Sequence, residues 1–332
     1  MVKAGHDGGK EPFNPGTFIL DHIGDAYEWH ILTCNGHHVS VPLPVILYSK
    51  QSGWHVFMSA KFHHGSHAGF SIATGGTVKG KIVEQTADGS FARPALDLSI
   101  TKNVFALFVS MTIIVWVFLS VAKAYKRREN QAPKGLQSLI EPVILFVRDD
   151  IAYPAIGHGY VRFMPYLLTV FFFILVNNLM GLIPFFPFGA NLTGNIAVTM
   201  VLALLTFFIT TFSANKNYWI HLVNTPGVPW WLKFPLPLMP FIELMGMLTK
   251  PLVLMIRLFA NITAGHIIAI GFFSLIFIFG GMSVGMGFGA SVISVVFTVF
   301  MSLLELLVAF IQAYVFTLLS AIYFGMAVEE HH

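Results

Sequence analysis

Ionisable side chains recur at helical spacing in the most apolar part of the chain. Glu243, Lys250 and Arg257 follow one another at intervals of seven residues. Seven residues are about two turns of an α-helix, so the three side chains share one stripe, each about 10.5 Å further along the axis. Glu305 and Gln312 have the same spacing near the end of the chain. Because an ionisable group inside a bilayer is costly, these residues are candidates for function.

The side chains in this region divide into a fixed charge and groups that exchange protons. The guanidinium of Arg257 keeps its proton in proteins, so it repels protons and attracts carboxylates. His266 and Glu305 can both gain and lose protons, and together they are a candidate proton relay. Glu243, about 21 Å from Arg257 along a helix, is a second candidate relay group. Titratable groups on both sides of a fixed cation favour two half-paths that meet a carboxylate on a moving partner.

The spacing also predicts which residues lie at the same level. Glycines interrupt the apolar sequence between residues 280 and 289, which favours a turn near residue 285 between two antiparallel helices. Level positions in such a hairpin have a constant sum of residue numbers. Arg257 and Gln312 sum to 569, and His266 and Glu305 sum to 571. We therefore expect each pair to lie level, although spacing does not decide whether its members face each other.

The composition indicates that the solvent of this chain is a lipid bilayer. The chain has 332 residues, of which 55% are hydrophobic and 11% are charged, with a mean hydropathy of +0.72. A soluble domain has about a quarter charged residues. The net charge of +3 and the lack of a recognition motif argue against a nucleic-acid partner. Cys34 is the single cysteine, which excludes an intramolecular disulfide and a cysteine-based metal site, and we expect no bound metal.

Five apolar stretches are long enough to cross a membrane, for which about 20 helical residues suffice. They predict a first membrane helix at 101–124, a second and third at 163–213, and a long tilted helical hairpin at 236–328. Each half of this hairpin exceeds 40 residues, which requires tilting or bending. Residues 136–157 mix apolar and charged side chains, which is typical of an amphipathic helix on the inner membrane surface.

Residues 1–100 are more polar and predict a small β-rich extramembrane domain. Two strand-like runs, Val45–Tyr48 and Trp54–Met58, flank a turn at Ser49–Gly53, and further turns are expected at Gly75–Gly76 and Asp88–Gly89. The predicted fold class is therefore an all-α membrane protein with five transmembrane helices, an inner-surface amphipathic helix and this N-terminal β-rich domain.

Lys and Arg in the short loops predict the orientation. A basic cluster between Lys123 and Lys134 follows the first span, and Lys216 and Lys233 follow the third. The loops near 184–194 and 280–289 contain neither residue. The positive-inside rule then places the N-terminal domain outside and the C-terminus, Glu329–His332, inside the cell.

Several segments resemble one protein family, subunit a of the F-type ATP synthases. The most characteristic are Lys250–Pro251 and RLFANITAGH from Arg257 to His266. The last helix, with Gln312 in AFIQAYVFTLLSAIYFGMA, resembles the C-terminus of the family. NNLMGLIP, from Asn177 to Pro184, and FVRDDIAYPAIG, from Phe146 to Gly157, resemble its second span and inner-surface segment. The resemblance covers about residues 136–332.

The resemblance implies a proton-translocating membrane subunit that is not catalytic alone and binds no nucleotide or other cofactor. Arg257 would face the carboxylate of the rotating c-ring, flanked by Asn261 and Gln312. The other implied positions are two half-channels, the outer one lined by His266, Glu305 and Asn178 and the inner one by Glu243. Many bacterial relatives carry the acid at the position of His266 and the imidazole at that of Glu305. Here the two are exchanged, which keeps one acid and one imidazole.

The implied partners are the c-ring, the peripheral-stalk subunit b and the lipid bilayer, and the expected location is the bacterial inner membrane. An ion-coupled secondary transporter is the main alternative, but it would carry two repeats with matching broken helices, which this sequence lacks. A respiratory subunit that handles quinones or metals would need histidine pairs inside the spans, and only His266 lies within one. The sequence leaves open whether the coupling ion is a proton or sodium.

Overall fold

The computed structural model describes residues 24–34, 37–73, 78–85, 91–127, 131–183, 186–223 and 238–328, together with Gly16 and Gly75. The predicted turn at Asp88–Gly89, the inner-loop residue Lys233 and the C-terminal Glu329–His332 lie outside these residues. Contacts within the chain divide it into two units. The larger comprises residues 25–262 and 306–332, and the smaller comprises residues 1–24 and 263–305.

The N-terminal region is built from short antiparallel strands. They are β1 Glu28–Cys34, β2 His37–Pro42, β3 Pro44–Ser49, β4 Gly53–Met58, β5 Phe70–Ile72, β6 Ile82–Gln85, β7 Phe91–Ala92 and β8 Leu96–Asp97. β1 pairs with β2, β3 lies between β4 and β8, and β6 lies between β5 and β7. Alternate residues of β3 point inward, so Val45 and Leu47 are buried together with Phe70 and Ile82. The two predicted strands and the turn that joins them are confirmed.

The rest of the described chain is helical. The helices are α1 Lys102–Arg127, α2 Leu136–Phe146, α3 Tyr153–Ile156, α4 Tyr160–Leu182, α5 Ile196–Ser213, α6 Lys216–Val223, α7 Leu238–Met282 and α8 Val284–Val328. Within the described residues, five helical segments are long and apolar enough to cross a membrane. The prediction of a mainly helical protein with five candidate spans and a β-rich N-terminal region is confirmed.

The segment between residues 136 and 160 is a helix with changes of geometry. A π-helical turn, Val147–Ala152, joins α2 to α3, and a 3₁₀ turn, Gly157–Gly159, joins α3 to α4. Gly157 has a φ of +74°, a backbone conformation that residues with a Cβ rarely adopt. The direction of the chain can therefore change at this glycine before α4 begins. A position of this segment on the inner membrane surface remains a prediction.

Helices α4, α7 and α8 share the main core of the larger unit. Leu167 and Phe171 of α4 are fully buried in one cluster with Leu254 of α7 and Phe324 of α8. The rings of Phe163 and Phe324 stack with centroids 4.8 Å apart. A Cβ at Gly325 would overlap the carbonyl oxygen of Ala155, so this packing requires glycine there. The core thus fixes the C-terminal part of α8 against α3 and α4.

In the smaller unit, the end of α7 lies antiparallel to the start of α8. The two helices are separated at Ser283, within the glycine-rich sequence that predicted a turn. The rings of Phe272 and Phe297 stack with centroids 5.0 Å apart and an interplanar angle of 12°. A Cβ at Gly287 would lie 2.8 Å from Cα of Gly280, so the two backbones approach closely near the turn.

Candidate functional site

His266 and Glu305 form the closest contact between two titratable candidates. Nδ1 of His266 lies 3.1 Å from Oε1 of Glu305, and the two side chains are 17% and 7% exposed. Gly265 permits this approach, since a Cβ there would lie 3.1 Å from the same carboxylate oxygen. The structure agrees with the predicted common level of the two residues and adds that their side chains face each other. Both groups can gain and lose protons, and they lie close together and largely shielded from bulk water, although Oε1 of Glu305 has no hydrogen-bond partner among the described residues.

Arg257 lies on an exposed face of α7. Its neighbour Ile256 is 54% exposed, whereas Leu254 and Leu258 are 1% exposed and pack into the core. Asn261, four residues further along the helix, is exposed as well. Within the described part of the chain, no carboxylate forms an ion pair with Arg257. The guanidinium is therefore accessible on a largely apolar face of α7 that also carries Asn261.

Gln312 was predicted to lie level with Arg257. The structure buries its side chain, which is 5% exposed. Among the described residues, no hydrogen bond joins Gln312 to Arg257. The buried amide and the exposed guanidinium therefore do not form a direct polar contact in the isolated chain, and their joint role remains a prediction.

Glu243 and Lys250 are half-buried near the start of α7. Nζ of Lys250 lies 5.4 Å from the ring centroid of Tyr323, a cation–π contact. A small cavity adjoins Lys250, and the polar residues in its largely apolar lining include Thr206, Thr210 and Tyr218. Burial raises the pKa of Tyr218, and the negative charge of Glu243 raises it further. Glu243 therefore acts electrostatically on a group that lines the same cavity.

Asn178 is buried at the end of α4, with both ends of its amide engaged. Its Nδ2 donates a hydrogen bond to the carbonyl oxygen of Ala309, at 3.2 Å. Its Oδ1 accepts one from Oγ1 of Thr193, at 2.6 Å. The orientation of this amide is thus set by α8 on one side and by the segment between α4 and α5 on the other. The sequence did not predict the contact of Thr193 with Asn178, because Thr193 lies in a loop and has no helical spacing relative to Asn178.

A buried hydroxyl cluster also went unrecognised in the sequence. The Tyr166 hydroxyl lies 2.8 Å from Oγ1 of Thr206, which lies 3.4 Å from Oγ of Ser320. These three residues belong to α4, α5 and α8. Hydroxyls in apolar helices commonly bond to a backbone carbonyl one turn earlier, as Thr206 and Ser320 also do, so sequence spacing does not reveal contacts between helices.

No group of three His, Cys, Asp or Glu side chains in the described residues has a geometry that could hold a metal ion. The side chain of His67 packs edge-on against Phe57, with ring centroids 4.9 Å apart. That imidazole has a packing role in the β-rich region.

The chain matches two family models. The model of the ATP synthase A chain matches residues 104–325, and the model of a domain of unknown function matches residues 18–102. The match to the A chain covers all seven candidate site residues. The boundary between the two models falls at the start of α1.

Among curated proteins, the chain is similar to bacterial ATP synthase subunits. It is 45% identical over 244 residues to ATP synthase subunit a of Chloroherpeton thalassium, covering 71% of this chain and 69% of that protein. It is 48% identical over 237 residues to ATP synthase subunit a 2 of Chlorobaculum tepidum, covering 70% and 64%. It is 35% identical over 264 residues to ATP synthase subunit a of an Anaeromyxobacter species, covering 76% and 60%.

Proposed function

Because the chain belongs to the ATP synthase A chain family, we propose that it is the membrane subunit that carries protons to and from the rotor of an F-type ATP synthase. It performs no catalysis alone and binds no nucleotide or other cofactor. It provides two half-channels, separated by Arg257, to a carboxylate on each subunit of the c-ring.

The observation that carries this proposal is the position of Arg257. An arginine on an apolar, membrane-length helix has a large desolvation cost unless a partner supplies a negative charge. Within the described residues this chain offers Arg257 no such acid, and the side chain faces outward. A carboxylate on an adjacent subunit satisfies that requirement, and a c-ring that rotates past this face presents one such group after another. Asn261 extends the same face.

The proposed outer half-channel uses His266 and Glu305, with Asn178 as a further lining group. The 3.1 Å contact supports direct proton exchange between imidazole and carboxylate. A proton that arrives from the outer side passes through this pair and neutralises the waiting carboxylate of the rotor. The neutral carboxyl group then enters the lipid at a much lower cost than the ion.

The proposed inner half-channel receives the proton after the c-ring has made nearly a full rotation. There the carboxyl group releases its proton into the path that contains Glu243. The hydroxyl groups of Thr206, Thr210 and Tyr218 beside Lys250 are polar side chains that this path could use. Arg257 favours the ionised carboxylate between the two events and prevents protons from crossing directly, because its guanidinium is permanently charged and does not release a proton.

The remaining features fit the same assembly. We propose that residues 236–328 form a long hairpin tilted along the c-ring, that 136–157 lies on the inner surface, and that subunit b of the peripheral stalk and lipid cover other faces. The N-terminal region lies outside and the C-terminus inside a bacterial inner membrane, as the distribution of Lys and Arg favours.

Purification followed by a flux assay tests this function. The tagged chain should copurify with a c-ring and with ATPase activity, and ATP should acidify inverted vesicles that contain the complex. Parallel assays with and without sodium identify the ion. A chain that purifies without any rotary subunit, or vesicles that show no ATP-driven ion movement, would contradict the proposal.

A further inference from the structure

A buried tryptophan lies where the N-terminal β-rich region meets the first apolar helix. Trp29 of β1 is 4% exposed. Its ring meets Phe105 of α1 edge-on, with centroids 6.0 Å apart, and Phe186 edge-on at 5.5 Å. The rings of Phe105 and Phe186 stack on each other at 5.8 Å. Three aromatic rings from a strand, a helix and a loop therefore form one contact.

Further bonds fix the start of α1 to the same region. The backbone N–H of Asn103 donates to Oδ1 of Asp25, and that of Lys102 donates to the carbonyl oxygen of Ala26. These are N–H groups of the first turn, which have no partner within the helix. Nζ of Lys102 also lies 5.6 Å from the Trp29 ring centroid. The β-rich region thus caps α1 and is held to it by several independent contacts.

The loop on the other side of Trp29 leads to Asn178. Ala190 is buried in one cluster with Trp29 and Ala106. Three residues after Ala190, the Thr193 hydroxyl donates the 2.6 Å hydrogen bond to Oδ1 of Asn178. A continuous series of buried contacts therefore runs from β1 through the loop to an amide on the proposed outer half-channel.

We propose that the β-rich region, which matches a domain of unknown function, is a brace that positions Asn178 through Trp29 and Thr193. This inference rests on the proposed function, because it assigns Asn178 to the outer path. In this view Trp29 and Thr193 are positioning residues. They hold the loop after α4 so that the amide keeps one orientation while protons pass.

The test compares passive proton flux in membrane vesicles that contain the assembled complex after removal of the ATPase head. Thr193→Val retains shape and removes the hydroxyl, and we expect it to reduce flux about fivefold, in line with the loss of one hydrogen bond. Thr193→Ser, which keeps a hydroxyl, should have most of the wild-type flux.

Trp29→Ala should reduce flux by a similar factor, and Trp29→Phe should retain more of it. Trp54→Ala, which removes a 59% exposed tryptophan of the same β-rich region, is the matched control and should match the wild type.

Two further measurements separate positioning from general damage. The Trp29→Ala and Thr193→Val effects should be non-additive, because both act through Asn178. Both variants should also shift the outer-side pH at which flux is half-maximal, which a mere loss of assembled complex does not do. Wild-type flux in Thr193→Val, or fully additive effects without a pH shift, would overturn the brace. If the Trp29→Ala complex does not assemble, the comparison of Thr193→Val with Thr193→Ser still tests the proposal.

An Arg257→Ala complex measured alongside distinguishes this inference from the proposed function. Normal ATP-driven pumping by that variant would refute the function itself. Loss of pumping by Arg257→Ala together with wild-type flux in the Trp29 and Thr193 variants would refute only the brace.

Discussion

Nδ1 of His266 and Oε1 of Glu305 lie 3.1 Å apart, on two helices that are consecutive in the chain. The contact joins the two titratable side chains that the sequence placed at one level. Glu305 is also the residue whose carboxylate a Cβ at Gly265 would crowd. The acid, the imidazole and the glycine therefore form one small arrangement that mutations can test separately.

Glu305→Gln should strongly impair proton entry, because the amide is similar in size but cannot release a proton at the pH of the cell. We expect ATP-driven acidification of inverted vesicles to fall by at least about tenfold, within the range that general acid–base groups contribute. The double variant His266→Glu with Glu305→His keeps one acid and one imidazole, so it should be more active than Glu305→Gln. Ser302→Ala, on the exposed face of the same helix, is the control. Wild-type rates in Glu305→Gln would count against the relay.

Gly265→Ala should reduce proton flux although it changes no polar group. The added methyl would lie 3.1 Å from Oε1 of Glu305 and displace the carboxylate from His266. Gly271→Ala is a matched control in the same helix, since a Cβ there meets nothing within 4 Å. We expect a severalfold loss in the first variant and near wild-type flux in the second. Equal flux in both variants would show that the spacing of the pair does not limit entry.

Arg257→Ala should abolish ATP-driven proton pumping while the complex still assembles, because the side chain is exposed and packs little against its own chain. The rotor carboxylate then loses its counter-charge, and the barrier between the half-channels disappears. Blue-native electrophoresis checks assembly, and vesicle acidification checks pumping. Leu119→Ala, which changes an exposed side chain of α1 outside this face, should pump at rates close to wild type. A pumping Arg257→Ala complex would remove the basis of the proposed mechanism.

Gly325→Ala should destabilise the larger unit. The new Cβ would overlap the carbonyl oxygen of Ala155, which belongs to the backbone and cannot move aside by changing a rotamer. Overpacking of this kind costs about 1–3 kcal/mol. The thermal unfolding midpoint of the purified chain in detergent measures the effect. Gly246→Ala, where a Cβ meets nothing within 4 Å, should unfold at the wild-type temperature, and an unchanged midpoint in Gly325→Ala would contradict the packing argument.

The β-rich region should lose stability in alkaline solution through Tyr27. Its hydroxyl donates a 2.6 Å hydrogen bond to Oδ2 of Asp97. Burial, this hydrogen bond and the charge of Asp97 all raise the pKa of Tyr27 above 10.0. The unfolded chain therefore ionises first as the pH rises beyond 10, and stability that is present at neutral pH is lost toward the folded-state pKa.

Replacement of Tyr27 by Phe removes the ionisable group, so its unfolding midpoint should be lower at neutral pH but fall less between about pH 9 and pH 11. Unfolding midpoints at a series of pH values test this expectation. The exposed Tyr48→Phe should retain the wild-type alkaline decline. A decline in Tyr27→Phe as steep as in the wild type would assign the effect to other groups.

The sequence alone was sufficient to predict that the protein lies in a lipid bilayer and that its fold is mainly helical. Membrane-length apolar helices must satisfy their backbone hydrogen bonds internally, so length and hydropathy identify five candidate spans without knowledge of their packing. The glycine-rich interruption and the constant sum of positions also predicted that His266 and Glu305 lie at one level, but not that they face each other. In both cases the signal is local, because helical rise and period are fixed by the backbone.

The tertiary structure decided what each candidate touches. Spacing did not show that Arg257 is exposed while Gln312 is buried, because the direction in which a helix face points depends on its neighbours. It gave no indication of Thr193 beside Asn178, or of Trp29 between Phe105 and Phe186, since those contacts join residues far apart in the chain. Such contacts arise from packing between elements, and the periodicity of one element does not encode its partners.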